Sequence, residues 1–166
     1  MIETDVAAIE NCILDKDGSC RDITMDDVDV QAAREIVSFL LRSYTLTHSI
    51  NREGDELAHG ATIVSIEKEF AKAENTLFIY LESSADLISR LLVTLHWLNL
   101  QEVSCELTFF PEDVRRPFSL SLFKEFLEPI LEIAQPDGYF VRYENASWAY
   151  GDTSKEGGMI YWERRA

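Results

Sequence analysis

The chain has 166 residues, with 30 acidic and 15 basic side chains, and its formal net charge at pH 7 is −15. Hydrophobic residues make up 46% of the sequence, which is ordinary for a globular domain and too high for a disordered acidic chain. Because acids outnumber bases two to one, the surface repels phosphate and anionic lipid headgroups. We therefore do not expect nucleic-acid binding or polybasic membrane anchoring.

The start of the sequence has no basic segment followed by an apolar run, and the longest uncharged apolar stretch, 91–101, is too short to cross a membrane. We therefore expect a cytoplasmic protein. Its three cysteines, Cys12, Cys20 and Cys105, are odd in number and widely spaced, which predicts reduced thiols.

The first 30 residues contain nine acids and two bases, which is almost half of the net charge. Val6, Ile9 and Ile13 lie at helical spacing, and we expect residues 1–27 to form an acidic, loosely docked segment of one domain that spans residues 1–166. The run Asp26–Asp29 is predicted to open a helix, because carboxylates favour the positive end of the helix dipole.

Apolar residues between Val30 and Tyr44 follow the i, i+3, i+4 spacing of an amphipathic helix. The polar residues 47–60 predict a loop, and the β-branched residues 61–66 predict a strand. The apolar run 76–81 then has the form of a buried strand.

Leucines and isoleucine between Leu87 and Leu98 predict a helix that Ser84 caps, followed by a strand over 103–110. Strand, helix and strand make a βαβ unit, whose two strands are expected to be parallel. Ser119 is predicted to cap a later helix that Pro129 kinks or ends near Glu128.

Two aromatic-rich strands, over 139–150 and 158–164, are predicted to form an antiparallel hairpin at the end of the chain. The expected fold is α+β or α/β. It is a single-domain sandwich in which helices pack on a mixed sheet, built from the βαβ unit and the C-terminal hairpin.

No motif predicts catalysis or a metal. The stretch Asp15–Gly18 is similar to part of a calcium loop, but Ile13 and Thr24 occupy positions where that loop needs carboxylates. Cysteines and histidines do not lie at zinc-binding spacing, and neither a nucleophile elbow nor a phosphate loop occurs. We expect no catalytic residue, metal or cofactor; an enzyme that uses scattered carboxylates with His48 or His59 remains an alternative.

The stretch Tyr143–Asp152, which reads YENASWAYGD, combines aromatic and acidic residues, as interface anchors with a charged rim do. In this block, in the glycine-rich turn after it and in its small acidic profile, the chain resembles bacterial immunity proteins of contact-dependent inhibition and polymorphic-toxin systems. The resemblance implies that the protein binds a cognate toxin domain and blocks its active site or substrate entry. It carries over no particular functional residues.

The charge predicts a cationic protein partner, because opposite potentials speed association and discriminate between partners. A nuclease toxin fits, since it must itself attract phosphate. We expect a protein that is monomeric before it binds, with eight partner-binding residues: Asp22, Asp26, Asp27, Asp29, Glu144, Trp148, Tyr150 and Asp152. Two alternatives stay open, an acidic secretion chaperone that binds an effector and an acidic DNA mimic.

Overall fold

The computed structural model of the chain describes residues 5–51, 56–57, 76–144 and 158–165. Within these ranges it has three α-helices and eight β-strands, with a short 3₁₀ turn at Pro111–Asp113. In chain order they are α1 (Val6–Leu14), β1 (Arg21–Asp29), α2 (Val30–Leu40), β2 (Thr45–Asn51), β3 (Glu56–Leu57), β4 (Thr76–Glu82), β5 (Arg90–Trp97), β6 (Glu102–Phe109), α3 (Leu120–Ala134), β7 (Gly138–Tyr143) and β8 (Met159–Arg164).

The described strands form one sheet in the order β3-β2-β4-β5-β6-β1-β7-β8, and every neighbouring pair is antiparallel. The core lies between the sheet and the three helices. Ile23, Val93 and Leu107, on three neighbouring strands, are completely buried there. The prediction of a single α+β domain with helices packed on a sheet is confirmed.

Each helix begins at a polar side chain that accepts backbone hydrogen bonds. Asp5 accepts from the N–H of Ala8 at 3.1 Å, and Ser119 accepts from that of Leu122 at 3.2 Å. These caps satisfy donors that the first turn leaves without partners. The predicted amphipathic helix after Val30 is confirmed, with its apolar stripe buried.

The prediction of a βαβ unit is wrong. Residues 90–97 form strand β5, which pairs antiparallel with both β4 and β6, so these three strands make a meander and the described sheet is not mixed. Leu91, Leu92 and Leu95 satisfy helical spacing, but the whole segment alternates between buried and more exposed residues. That period of two places the apolar side chains Leu91, Val93, Leu95 and Trp97 against the core.

Helix α3 does not end near Glu128, one of the two effects predicted for Pro129, because it continues through the proline to Ala134. Proline removes one backbone hydrogen bond from a helix interior. Ile130 and Leu131, in the following turn, are buried, and their packing against the core offsets that loss.

The acidic run Asp26–Asp29 does not open a helix as predicted: it is the end of strand β1, and only its last residue caps α2. Residues 47–51 likewise belong to β2 and not to a loop. The predicted strand 61–66 lies outside the described residues. The C-terminal hairpin is present as the antiparallel pair β7 and β8, while the predicted strand residues 145–150 lie outside the described ranges.

Residues 5–27 are not loosely docked, contrary to expectation. Helix α1 buries Ile9 and Ile13, and β1 is an interior strand between β6 and β7. The apolar pattern of the sequence did not predict this packing, because the residue that anchors the segment is charged. That residue is Arg21, whose exposed fraction is 0%.

The Arg21 guanidinium closes the connection between α1 and β1. It stacks on the Tyr143 ring, with 4.2 Å between the guanidinium carbon and the ring centroid, and it lies 3.3 Å from Asp17 Oδ1. It also donates to four backbone carbonyl oxygens at 2.6–3.1 Å, those of Cys12, Asp15, Ser19 and Cys20. A buried cation with this many partners fixes the path of the chain into the sheet.

None of the described helices has the length and apolar character needed to cross a membrane. The three cysteines are free thiols, as predicted.

Candidate functional site

One face of the sheet points away from α1, α2 and α3, and is called the far face below. Strand alternation places on it the residues that lie between the core residues of each strand. On β6 these are Glu102, Ser104, Glu106 and Thr108, which alternate with four buried apolar residues. The far face is therefore polar at its centre, whereas the opposite face is the apolar core.

Carboxylates gather at the centre of the far face, on β6, β1 and the end of β7. Glu106 accepts hydrogen bonds from Thr24 Oγ1 and from Arg142 Nη2, each at 3.2 Å. Among the described residues of these three strands, Arg142 is the cation on the far face. Its guanidinium lies 3.2 Å from Glu106 and its charge acts on Asp22, while Asp26, Glu102 and Glu144 are further carboxylates on the same face. The centre of the far face thus carries a concentrated negative potential.

Asp22 is the most buried of these carboxylates, with an exposed fraction of 7%. It accepts a hydrogen bond of 2.7 Å from Thr108 Oγ1. Burial first, and then the charge of Glu106, raise the pKa of Asp22 from 3.8 to about 6. Thr108 and Arg142 act in the opposite direction, and Glu144 adds to the rise. Asp22 is therefore ionised at neutral pH only at a cost in stability.

Replacing Asp22 by asparagine is expected to raise the melting temperature at pH 7.5 by roughly 2–8 °C. The raised pKa means that the folded state binds the proton more tightly than the unfolded state, so wild-type stability falls as pH rises from about 4 to about 6. Asparagine removes that loss and still accepts from Thr108. Thermal melts at pH 7.5 and pH 4 provide the check: the stabilisation must shrink at pH 4, and a pH-independent difference would contradict the assignment.

Four other predicted partner-binding residues lie in the described part of the chain. Asp26 is on the far face and accepts from Ser104 Oγ at 3.2 Å, and Glu144 is exposed beside Asp22. Asp27 is exposed in the bulge of β1, with a left-handed φ of 55°. Asp29 instead accepts from the backbone N–H of Gln31 at 2.8 Å, which makes it a helix cap.

The structure therefore brings Asp22, Asp26 and Glu144 together on the far face and places Asp27 at its edge. Asp29 lies at the end of β1, where it caps α2. The remaining predicted residues, Trp148, Tyr150 and Asp152, lie outside the described residues.

Four far-face residues were missed by the sequence interpretation: Glu102, Glu106, Arg142 and Trp162. The signal for Glu106 was available, because polar and apolar residues alternate strictly from Glu102 to Phe109. The association of Arg142 and Trp162 with it depends on the register between β1, β7 and β8, which no local pattern encodes.

A cavity of about 410 Å³ opens where β1, β7 and β8 meet the end of α3. Trp162, with 42% of its surface exposed, and the buried Phe140 form its aromatic wall. Its charged residues are Asp26, Asp27, Asp137 and Arg164, and Gln135, Pro136 and Gly138 complete the described lining. The cavity thus combines an exposed indole with an excess of carboxylates.

A second cavity, of about 330 Å³, lies at the other end of the far face. The His48 ring stacks on Tyr80 there, with centroids 4.0 Å apart and an interplanar angle of 10°. The Thr47 hydroxyl, 3.3 Å from His48 Nδ1, donates to the Tyr80 carbonyl oxygen at 3.1 Å. Since that hydroxyl proton is already used, His48 is not placed to activate Thr47 as a nucleophile.

The thiols of Cys105 and Cys20 remain protonated at neutral pH. Burial raises the pKa of Cys105 to about 12 and, together with the Glu144 charge, that of Cys20 to about 11. A protonated thiol is a weak nucleophile and a poor metal ligand. Among the residues that the structure describes, no three His, Cys, Asp or Glu side chains are grouped to hold a metal ion.

The fold and the far face together define a small α+β protein with an acidic and aromatic sheet surface. No protein-family model matches the sequence, and no curated protein matches it either.

Solved structures do share the fold. A chain of the 1.75 Å crystal structure of the toxic C-terminal tip of CdiA from Pseudomonas aeruginosa in complex with immune protein matches with a TM-score of 0.56. The match covers 89% of this chain and 97% of that one, at 10% sequence identity. The class-level resemblance seen in the sequence is thereby confirmed at the level of the fold.

A second match is the Pseudomonas aeruginosa T6SS protein PA0821, with a TM-score of 0.46 and 13% identity. It covers 75% of this chain and 40% of that protein. This likeness is too small to carry an argument.

Proposed function

We propose that the protein is an immunity protein, which binds and neutralises a cationic toxin domain through the far face of its sheet. In this proposal it is a binding protein and not an enzyme. The observation that carries it is the excess of charge on the far face, where the described residues of β1, β6 and the end of β7 place five carboxylates and one cation, Arg142.

The energetics of Asp22 support the proposal. Ionised Asp22 makes the folded state less stable than an asparagine of the same shape would. Its charge is therefore better explained by binding than by stability. A cation from a partner that approached Asp22 would stabilise the ionised form and recover the cost.

The fold likeness also supports it, because the matched structure contains a toxic tip together with immune protein. A nuclease is the toxin class that best fits an acidic inhibitor, since its substrate site must attract phosphate. Carboxylates of the far face would then occupy the positions where phosphates bind, and would exclude the substrate.

Co-expression tests this function. A search of the neighbouring genes for a large secreted protein identifies the candidate toxin domain, which is expressed in a bacterial host with and without the chain. The domain alone is expected to stop growth and degrade nucleic acid, and the chain is expected to restore growth. An unrelated acidic protein of similar size and charge is the control and should give no rescue.

Two results would overturn the proposal: continued growth arrest while the chain is present in excess, or the absence of any toxin gene beside it. The alternatives have their own signatures. A secretion chaperone would form a stable homodimer that holds an unfolded effector segment, and a DNA mimic would compete with DNA for several unrelated DNA-binding proteins. Either signature without rescue would replace the immunity function.

A further inference from the structure

We propose that the Trp162 cavity is a receptor for one arginine side chain of the partner, held between the indole and the surrounding carboxylates. This inference deepens the proposed function and rests on it for the identity of the partner. The chemistry of the cavity itself is argued from the residues that line it.

Trp162 provides the first argument. The indole has 42% of its surface exposed, and it lies beside Phe140, which is 6% exposed. The register pairs these two residues directly across β7 and β8, so the cavity has a continuous aromatic wall. A planar cation stacks favourably on an indole face, and guanidinium does so more often than ammonium.

Electrostatics provide the second argument. Asp26, Asp27 and Asp137 contribute three carboxylates to the lining, against the single guanidinium of Arg164. Asp27 and Asp137 are exposed, so their oxygens are accessible to a partner. The local excess of negative charge selects a cation over an anion or a neutral side chain.

The end of helix α3 provides the third argument. Gln135 caps this 15-residue helix with a φ of 46°, and both Gln135 and Pro136 line the cavity. The cavity therefore lies at the negative end of a helix dipole, where cations are stabilised. The carboxylates, the C-terminal end of α3 and the indole thus all favour a positively charged ligand.

Shape favours arginine over lysine. Guanidinium is flat and has donors in a fork, so it can stack on Trp162 while it bonds a carboxylate such as Asp137 in two places. The volume of about 410 Å³ lies within the range of cavities that accept small ligands. A buried arginine in such a pocket is typical of the few residues that dominate an interface.

The test uses the full chain and small probes, without the toxin. N-acetyl-arginine amide is titrated while the indole N–H signal of Trp162 is followed by NMR, with a Trp162→Phe variant to assign the signal. We expect a saturable shift in the millimolar range that weakens with added salt. N-acetyl-citrulline amide, which is neutral and nearly the same shape, should give no saturable shift, and N-acetyl-lysine amide should bind several-fold more weakly.

Matched variants locate the site. Asp27→Asn with Asp137→Asn should weaken arginine binding several-fold, and Asn tolerates the left-handed backbone at position 27. Glu125→Gln with Glu132→Gln removes the same charge from the exposed surface of α3 and should leave binding unchanged. In the complex, Trp162→Ala should weaken toxin binding by about tenfold or more.

The inference is overturned if citrulline amide shifts the signal as arginine amide does, if lysine amide binds equally well, or if the α3 control weakens binding equally. It is also overturned if the chain neutralises the toxin while Trp162→Ala binds it normally. Arginine-selective binding in a chain that fails to neutralise the toxin would instead overturn the proposed function and leave the cavity assignment intact.

Discussion

Neutralising three far-face carboxylates, in the combined variant Asp26→Asn, Glu102→Gln and Glu106→Gln, is expected to slow association with the toxin domain by about tenfold or more at low salt. Asp26 lies on β1, and Glu102 and Glu106 lie on β6, on the far face. The amides keep the size of each side chain, and Asp22 remains as a charged neighbour of Arg142. The expected loss therefore comes from the local potential and not from a changed shape.

The salt dependence of the association rate distinguishes long-range electrostatic attraction from short-range contacts in the complex. The Debye length falls from about 30 Å at 0.01 M salt to about 3 Å at 1 M, so the difference between variant and wild type should narrow at high salt. Stopped-flow association rates at both salt concentrations provide the measurement. Melting curves of the variant establish that it is folded.

The matched control is Glu35→Gln with Glu125→Gln and Glu132→Gln. These exposed residues on α2 and α3 carry the same number of charges on the opposite side of the molecule. Their removal should change association much less. Equal slowing by both triple variants would mean that only net charge matters, and would contradict the far face as the interface.

Arg21→Met is expected to lower the free energy of unfolding by roughly 3–5 kcal/mol, the typical effect of removing one partner from a buried charged network. The variant leaves the carbonyl oxygens of Cys12, Asp15 and Cys20 without their buried donor, and Tyr143 without its stacked cation. A loss of this size is a large share of the total stability of a domain.

Denaturant unfolding and hydrogen exchange provide the measurements. Exchange should accelerate first in residues 5–20, because Arg21 joins α1 to β1. Arg21→Lys should recover only part of the loss, since an ammonium has three donors and no planar fork. A melting transition of Arg21→Met close to that of wild type would refute this role for the buried arginine.

The fold class, helices α2 and α3 and the C-terminal hairpin could be predicted from the sequence, because the apolar periods of these segments are unambiguous. The sequence was insufficient for β5. There the leucines at 91, 92 and 95 fit helical and strand periods alike, and pairing with β4 and β6 decides between them. Propensity is local, whereas a strand in the middle of a sheet is stabilised by neighbours distant in sequence.

The candidate site, like the fold, could be predicted only in part from the sequence. Acidity near Asp22 and Asp26 was visible in the sequence, and the structure places both on the far face. Their neighbours Glu106 and Arg142 come from strands about 80 and 120 residues away in sequence, so only the register reveals the cluster. Asp29 caps α2, and the sequence alone does not separate a helix cap from a recognition carboxylate, because both have the same local pattern.

Growth rescue with the two triple variants tests whether the far face neutralises the toxin. The chain and each variant are co-expressed with the candidate toxin domain, at matched protein levels. We expect that wild type and the Glu35, Glu125 and Glu132 variant protect the host, whereas the Asp26, Glu102 and Glu106 variant protects poorly. Full protection by the far-face variant, at the same expression level, would contradict the claim that the far face neutralises the toxin.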